Sequence, residues 1–299
     1  MRPIKILTDS CGDLNDELMT KYDIDYARMN TVHNDVQSVA DLSWKNVAPH
    51  DFYQTMRNGE RTTTTQVPVE EFNRIFRLYL DKGMDIVYIG CSLKQSGSVN
   101  TGTMVAKELA NDYPDATIYC IDSLNATVGE GILAIYAANL VKEGKDIDTV
   151  YNSTMAKRNF VNQYAAVSTL DWLKKSGRVT ASKAFFGNLF GVKPILISDA
   201  DGVQTPIKKA KGRLASLKMI VDSLKETITE PEKQIVYIGH ADCSEEELNM
   251  VRDLIRKEIP CIDVYTLYIG PIVGASVGPD TIGVWAFGNE VTYRVNQGN

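Results

Sequence analysis

Four short runs rich in β-branched residues, IKILT (4–8), DIVYIG (85–90), ATIYCID (116–122) and QIVYIG (234–239), are each followed by a stretch with helical patterning. Runs apolar throughout read as strands buried on both faces. The stretches that follow are DLNDELMTKY, SVNTGTMVAKELAND, VGEGILAIYAANLVKEG and SEEELNMVRDLIRKE, the last opening with a capping box from Ser244 to Glu247. Strand, loop, helix, strand leaves few topologies open, because parallel strands need crossovers and the helices must then cover the sheet. The first half therefore reads as a parallel-sheet α/β domain.

A polar helix over 144–160 leads into a different pattern. From Tyr164 the run YAAVSTLDWLKK reads as a helix, followed by a Gly-Arg turn, a second apolar helix, and a hairpin whose turn is DADG (199–202). A mixed sheet is expected there. A chain of 299 residues, 44% hydrophobic, can bury two cores, so two α/β domains are expected, 1–160 and 161–299, with the final strand packing with either.

The formal charge of −6, without a basic cluster, argues against nucleic acid or an anionic membrane as partner. Five widely spaced cysteines (Cys11, Cys91, Cys120, Cys243, Cys261) with no C-x-x-C pair fit reduced thiols buried as small hydrophobes. No signal peptide or membrane-spanning run is read in the sequence, and a cytoplasmic protein is expected.

Two loops concentrate hydroxyls. TTTTQVP (62–68) precedes the helical run VEEFNRIFRLYL, and SLKQSGSVNTG (92–102) follows the strand DIVYIG. Helix N-termini expose unpaired N–H groups and partial positive charge, so hydroxyls there can hold a carboxylate or phosphate without lysine or arginine. The plainer reading is an N-cap plus a β-prone threonine run in one loop and ordinary turn residues in the other. TDS (8–10) is echoed by IDS (121–123), each at the carboxyl end of a strand, where open α/β sheets bind ligands and where aspartates also close turns.

Catalytic equipment is missing: no G-x-S-x-G elbow and no Walker loop occur, and His33, His50 and His240 are tied by no motif to Ser96. GEGILA (129–134) matches a dinucleotide fingerprint formally, but DSLNATV separates it from its strand. GHADC (239–243) lacks a second ligand pair for a metal, so its histidine reads as a loop residue.

In this order the motifs resemble the DegV family of bacterial lipid-binding proteins, which includes the fatty-acid-binding subunits of fatty acid kinase. The matching pieces are the strand ending in TDS, TTTTQVP, SLKQSGS, the IDS strand end and WLKKSGRVTASKAFFGNLFGVKPIL (172–196). The resemblance implies two α/β domains with the ligand between them, a carboxylate held by first-domain hydroxyls and an acyl tail sunk into the second. By position, Thr64 and Ser96 match the carboxylate-binding hydroxyls, with Thr65, Ser92 and Ser98 nearby and Ser276 where the family has a histidine. Phe185, Phe186, Leu189 and Phe190 fit either a tail tunnel or an ordinary core helix. About 15 buried methylenes at about 0.8 kcal/mol each would dominate affinity.

This chain departs from the family pattern at Leu93, Ser276 and Asp280, where a serine, a histidine and a glycine are expected, and Lys211 stands where arginine is commoner. An Asp280 near the bound anion would repel it unless turned away. The function implied is non-enzymatic binding of a long-chain fatty acid, with no cofactor, metal or catalytic residue, and with a separate fatty acid kinase subunit as partner. The alternatives are a lipid carrier or sensor without kinase coupling, and an enzyme acting on a small carboxylic acid. Arg178 reads either as a partner-facing cation or as an internal strut.

Overall fold

The computed structural model describes residues 2–179 and 191–295. The chain forms two compact units, one of Met1–Asn46, Thr62–Arg158 and Gly270–Ile272, the other of Val47–Arg61, Asn159–Ile269 and Val273–Asn299. Nothing in the sequence pattern marks the Val47–Arg61 excursion.

In the first unit the order is β1 (Ile4–Asp9), α1 (Asp16–Tyr22), β2 (Ile24–Ala27), β3 (Asn30–His33), β4 (Val36–Val39) and, after α2 (Pro49–Arg57) of the other unit, β5 (Thr62–Thr64). It continues through α3 (Val69–Leu80), β6 (Asp85–Gly90), α4 (Ser98–Leu109), β7 (Ile118–Asp122), α5 (Val128–Lys142) and α6 (Ile147–Lys157). Strands β2-β1-β6-β7 form an all-parallel sheet, and β4-β3-β5 a small antiparallel one. β1 is buried along its whole length, which its continuous apolar run requires, and its one lysine, Lys5, is neutralised by Asp23.

Helix α5 packs against β1 and β6 and is buried through most of its length. Its G-E-G opening is a packing device: a Cβ on Gly131 would lie 2.3 Å from the carbonyl oxygen of Gly12. Glycine there lets the helix approach the loop after β1, and Glu130 is carried into the interior with it.

The second unit holds β8 (Val161–Ala166), α7 (Asp171–Ser176), β9 (Val192–Ser198), β10 (Gln204–Lys211), α8 (Arg213–Thr227), β11 (Ile235–His240), α9 (Glu245–Glu258), β12 (Asp263–Tyr268) and β13 (Ile282–Phe287). Helix α10 (Pro271–Val277) begins in residues of the first unit and ends in the second. The six-stranded sheet runs β10-β9-β8-β13-β11-β12 and is mixed, only β11 and β12 being parallel neighbours. The final strand, β13, belongs to this sheet. Leu217, Ile220, Val221 and Leu224 of α8 and Val251 and Ile255 of α9 form one apolar core with Val236, Ile238, Ile282 and Val284.

Ser244 caps α9, its Oγ accepting from Glu247 N at 3.3 Å, but the Glu247 carboxylate turns to Arg213 at 2.6 Å instead of completing the box. The DADG turn is closed by Asp199 Oδ1, which accepts from Asp201 N and Val203 N, both at 3.0 Å. One expectation is corrected: Tyr164–Ala166 is not helical but ends β8, a strand between β13 and β9. A short apolar run buried on both faces carries no period that separates strand from helix. The second apolar helix, with Phe185, Phe186, Leu189 and Phe190, falls outside the described residues. Among the described residues no helix is long and apolar enough to cross a membrane.

Candidate functional site

Three of the four consecutive threonines form β5, an edge strand antiparallel to β3, with Thr64 opposite Thr31. β-branched side chains favour such extended pairing, which accounts for the run. Thr65 continues it, its N–H donating to Asn30 O at 2.9 Å. None of the threonines caps α3, whose N-cap is Pro68 without a side-chain bond. Thr65 Oγ1 is buried and has no hydrogen-bond partner among the described residues. An unpaired buried hydroxyl costs roughly 1–3 kcal/mol, so its retention calls for a reason.

The second loop leaves β6 and winds into α4. Ser92 is fully buried; its carbonyl accepts from Gln95 N and Ser96 N, and its Oγ accepts from Lys94 N at 3.2 Å, shaping the turn from within. Gly97 is the N-cap of α4 and has no side chain to contribute, and Ser96 Oγ instead accepts from Ser98 N at 3.3 Å. Ser96 Oγ also lies 2.9 Å from Ser98 Oγ, which accepts from Val67 N at 3.1 Å. Gln66 Nε2 donates to Thr101 Oγ1 at 2.9 Å, and a Cβ on Gly97 would fall 2.2 Å from Gln66 Oε1. The threonine loop and the serine loop are thereby bonded to each other at the N-terminus of α4. Thr64, Thr65 and Ser96 remain partly exposed, while Ser92 and Ser98 are buried. Hydroxyl donors beside a helix N-terminus suit a carboxylate held by hydrogen bonds, not by a fixed cation.

The two aspartates of the TDS and IDS echo both fasten the start of the serine loop. Asp122 Oδ1 accepts from Leu124 N at 2.9 Å and from Leu93 N at 3.3 Å. Asp9 Oδ1 accepts from Cys11 N at 2.8 Å, and its Oδ2 from Tyr88 Oη at 2.6 Å and Cys91 N at 3.2 Å. Burial raises the Asp9 carboxyl against the lowering effect of these donors. Glu130, to which the sequence reading gave no role, is fully buried beside it, with Oε1 accepting from Thr8 Oγ1 at 2.6 Å and Asp9 N at 3.4 Å. Burial and the Asp9 charge hold Glu130 well above the usual carboxylate range. The available signal was a carboxylate flanked by two glycines in an otherwise apolar helix. Asp13 is likewise buried, and desolvation pushes it up to about 8.

In the second unit, Ser276 sits half-buried on α10. Asp280 has φ of +63°, the left-handed conformation that favours glycine and tolerates aspartate, and Arg57 Nη2 pairs with it at 2.6 Å. Its charge is therefore compensated locally. Arg57 Nη1 also holds Asp242 at 2.6 Å, as does His50 Nδ1 at 3.0 Å. His240 is buried against Tyr268, ring centroids 4.2 Å apart, and burial lowers it to about 4. Lys211 is exposed at the end of β10, and Arg178 is exposed and donates to the Ser176 carbonyl.

Residues 3–289 match the model of the DegV family, described as uncharacterised proteins. A DegV domain-containing protein of Clostridium perfringens is 33% identical over 289 residues, covering 97% of this chain and 99% of its own. A Thermotoga maritima protein named fatty acid-binding protein is 29% identical, covering 97% of this chain and 99% of its own. The crystal structure of a DegV lipid binding protein from Thermotoga maritima superposes with a TM-score of 0.84 at 26% identity, over 98% of this chain and 100% of that one.

Proposed function

The chain belongs to the DegV family, and from that premise we propose that it binds a long-chain fatty acid without catalysing a reaction, the carboxylate resting on Thr64 and Ser96. The observation that carries this reading is the bonded pair of hydroxyl loops at the N-terminus of α4, with Thr65 Oγ1 buried and unpaired. A carboxylate offers that hydroxyl the acceptor it otherwise lacks, and the α4 N-terminus adds favourable charge. Support also comes from relatives named for fatty-acid or lipid binding. In this reading Thr65 completes the head-group site, and Ser92 and Ser98 hold the loop rather than contact the ligand. A cytoplasmic location and tail burial in the second domain belong to the same proposal.

Presentation of the carboxylate to a separate fatty acid kinase subunit extends the reading. Bonds to hydroxyls leave the oxygens reachable by a phosphoryl donor, whereas a bidentate arginine would hold them. Ser276 favours a second reading, a carrier or sensor without kinase coupling, because a hydroxyl lacks the proton chemistry of an imidazole.

The test is denaturing mass spectrometry of an organic extract of the purified protein beside a Thr64→Ala, Ser96→Ala double variant. A stoichiometric long-chain acid in the wild type, depleted at least tenfold in the variant, is expected. Empty extracts from both, with no thermal shift on adding oleate or palmitate, would overturn the reading. Adding ATP and a fatty acid kinase catalytic subunit separates the two versions: acyl phosphate formation supports presentation, and its appearance only in Ser276→His supports the uncoupled carrier.

A further inference from the structure

The carboxyl ends of β1 and β6 and the first turn of α5 bring together Cys11, Cys91 and Glu130. The sulfur atoms and a carboxylate oxygen all lie within 4.8 Å of one another. Both cysteines are 2% exposed and Glu130 is 0% exposed. Glu130 Oε1 is taken by Thr8 and the Asp9 N–H, while Oε2 is buried with no hydrogen-bond partner among the described residues. The Asp9 carboxylate accepts the backbone N–H of both cysteines, so one side chain fixes the positions of both thiols.

Two buried carboxyls need positive charge or protons. Lys5 is the only lysine or arginine among the described buried residues, and it is committed to Asp23. A proton on Oε1 would require the Thr8 hydroxyl to turn and accept and would meet the Asp9 N–H, and a proton on Oε2 would find no acceptor among the described residues. A cation shared between the Glu130 carboxylate and the two sulfur atoms satisfies all three groups at once. Met29 Sδ lies 3.7 Å from Cys11 Sγ. Two sulfurs and one carboxylate oxygen form a donor set suited to a tetrahedral, borderline-soft ion.

We propose that Cys11, Cys91 and Glu130 form a buried Zn2+ site that clamps the ends of β1 and β6 to α5. Each thiol gives up its proton to solvent as its sulfur bonds the metal, so binding releases two protons and strengthens as pH rises. Cys91 immediately precedes Ser92, so the metal would fix the strand end from which the serine loop departs.

The experiment uses the full chain, purified without chelator or affinity metal, with elemental analysis by mass spectrometry. The same protein is then unfolded in denaturant with chelator, refolded, and titrated with Cd2+ while thiolate-to-metal charge-transfer absorption is read in the ultraviolet. One Zn2+ per chain, or one Cd2+ with charge transfer from two thiolates, is expected. The signal should persist in Cys243→Ser, Cys261→Ser, vanish in Cys11→Ser, Cys91→Ser, and weaken at least tenfold in affinity in Glu130→Gln. A wild-type chain that refolds to its native circular dichroism yet shows neither metal nor charge transfer overturns the proposal, even if the cysteine variants fail to fold. So does a signal unchanged in Cys11→Ser, Cys91→Ser.

Discussion

In the second unit one interior cluster is neutral: Gln163 Nε2 donates to Gln204 Oε1 at 2.8 Å, and Trp285 Nε1 donates to Gln163 Oε1 at 3.3 Å. In the first unit the corresponding groups are carboxyls, Asp9, Asp13 and Glu130, gathered near the carboxyl end of β1. An amide network costs the same at every pH. Buried carboxyls make stability depend on protons, and they persist where strand ends must hold loops in place. The parallel sheet thus concentrates polar cost beside its hydroxyl-rich loops, at the carboxyl ends of its strands. In the mixed sheet the Gln163, Gln204 and Trp285 side chains satisfy one another within the interior.

The strongest way to break this comparison is Asp9→Ala. It strands three donors, Cys11 N, Cys91 N and Tyr88 Oη, in a fully buried place. At about 1–3 kcal/mol for each unpaired group, a loss of roughly 5 kcal/mol is expected by urea unfolding. Gln163→Leu in the other unit should cost less than half as much, since the amide chain it interrupts is neutral. Equal losses would show that charge is irrelevant to the difference.

A smaller effect sharpens the proton argument. Asp13 holds its proton to about pH 8 when folded, against an ordinary value of 3.8. Between those values the folded chain binds more protons than the unfolded one, so this residue's stabilising contribution is complete below 3.8 and is lost as pH rises toward 8. Asp13→Asn removes the dependence, and asparagine tolerates the positive φ of 47° found there. Wild-type stability should fall relative to the variant's as pH rises across that window. Parallel stability–pH curves would refute it.

How much of this was legible in the sequence differs by element. The strands IKILT and DIVYIG and the capped helix α9 declared themselves through period, propensity and Ser244. The two hydroxyl loops were readable as a pair of candidate loops, but not the bonds joining them, because Val67–Ser98 and Gln66–Thr101 are contacts made by the fold, not by local pattern. β8 was misread because burial on both faces erases the alternation that identifies strands. Glu130 was overlooked since a lone acid in a helix is ordinarily solvated, and its burial follows from Gly131 meeting Gly12 across the fold. The Cys11–Cys91–Glu130 cluster spans β1, β6 and α5 and has no ligand spacing along the chain, whereas GHADC has a short spacing and its Asp242 is engaged by Arg57.

The smallest effect inverts the sign within the second unit. His240 is held neutral by burial, lowered from 6.5 to about 4. Here the unfolded chain binds the extra proton, so stability is present above 6.5 and lost as pH falls toward 4. His240→Phe keeps the ring against Tyr268 while removing the titrating nitrogens, and should resist acid by about 3 kcal/mol relative to wild type. Hydrogen exchange read separately on β11 and β1 distinguishes the units. Protection of β11 should fall toward pH 4 in wild type and hold in the variant. Protection of β1 in the metal-free protein, governed by buried carboxyls, should rise over the same descent. If both strands lose protection together in acid, the proton dependence belongs to global unfolding, and the contrast between carboxyl and imidazole interiors does not control local stability.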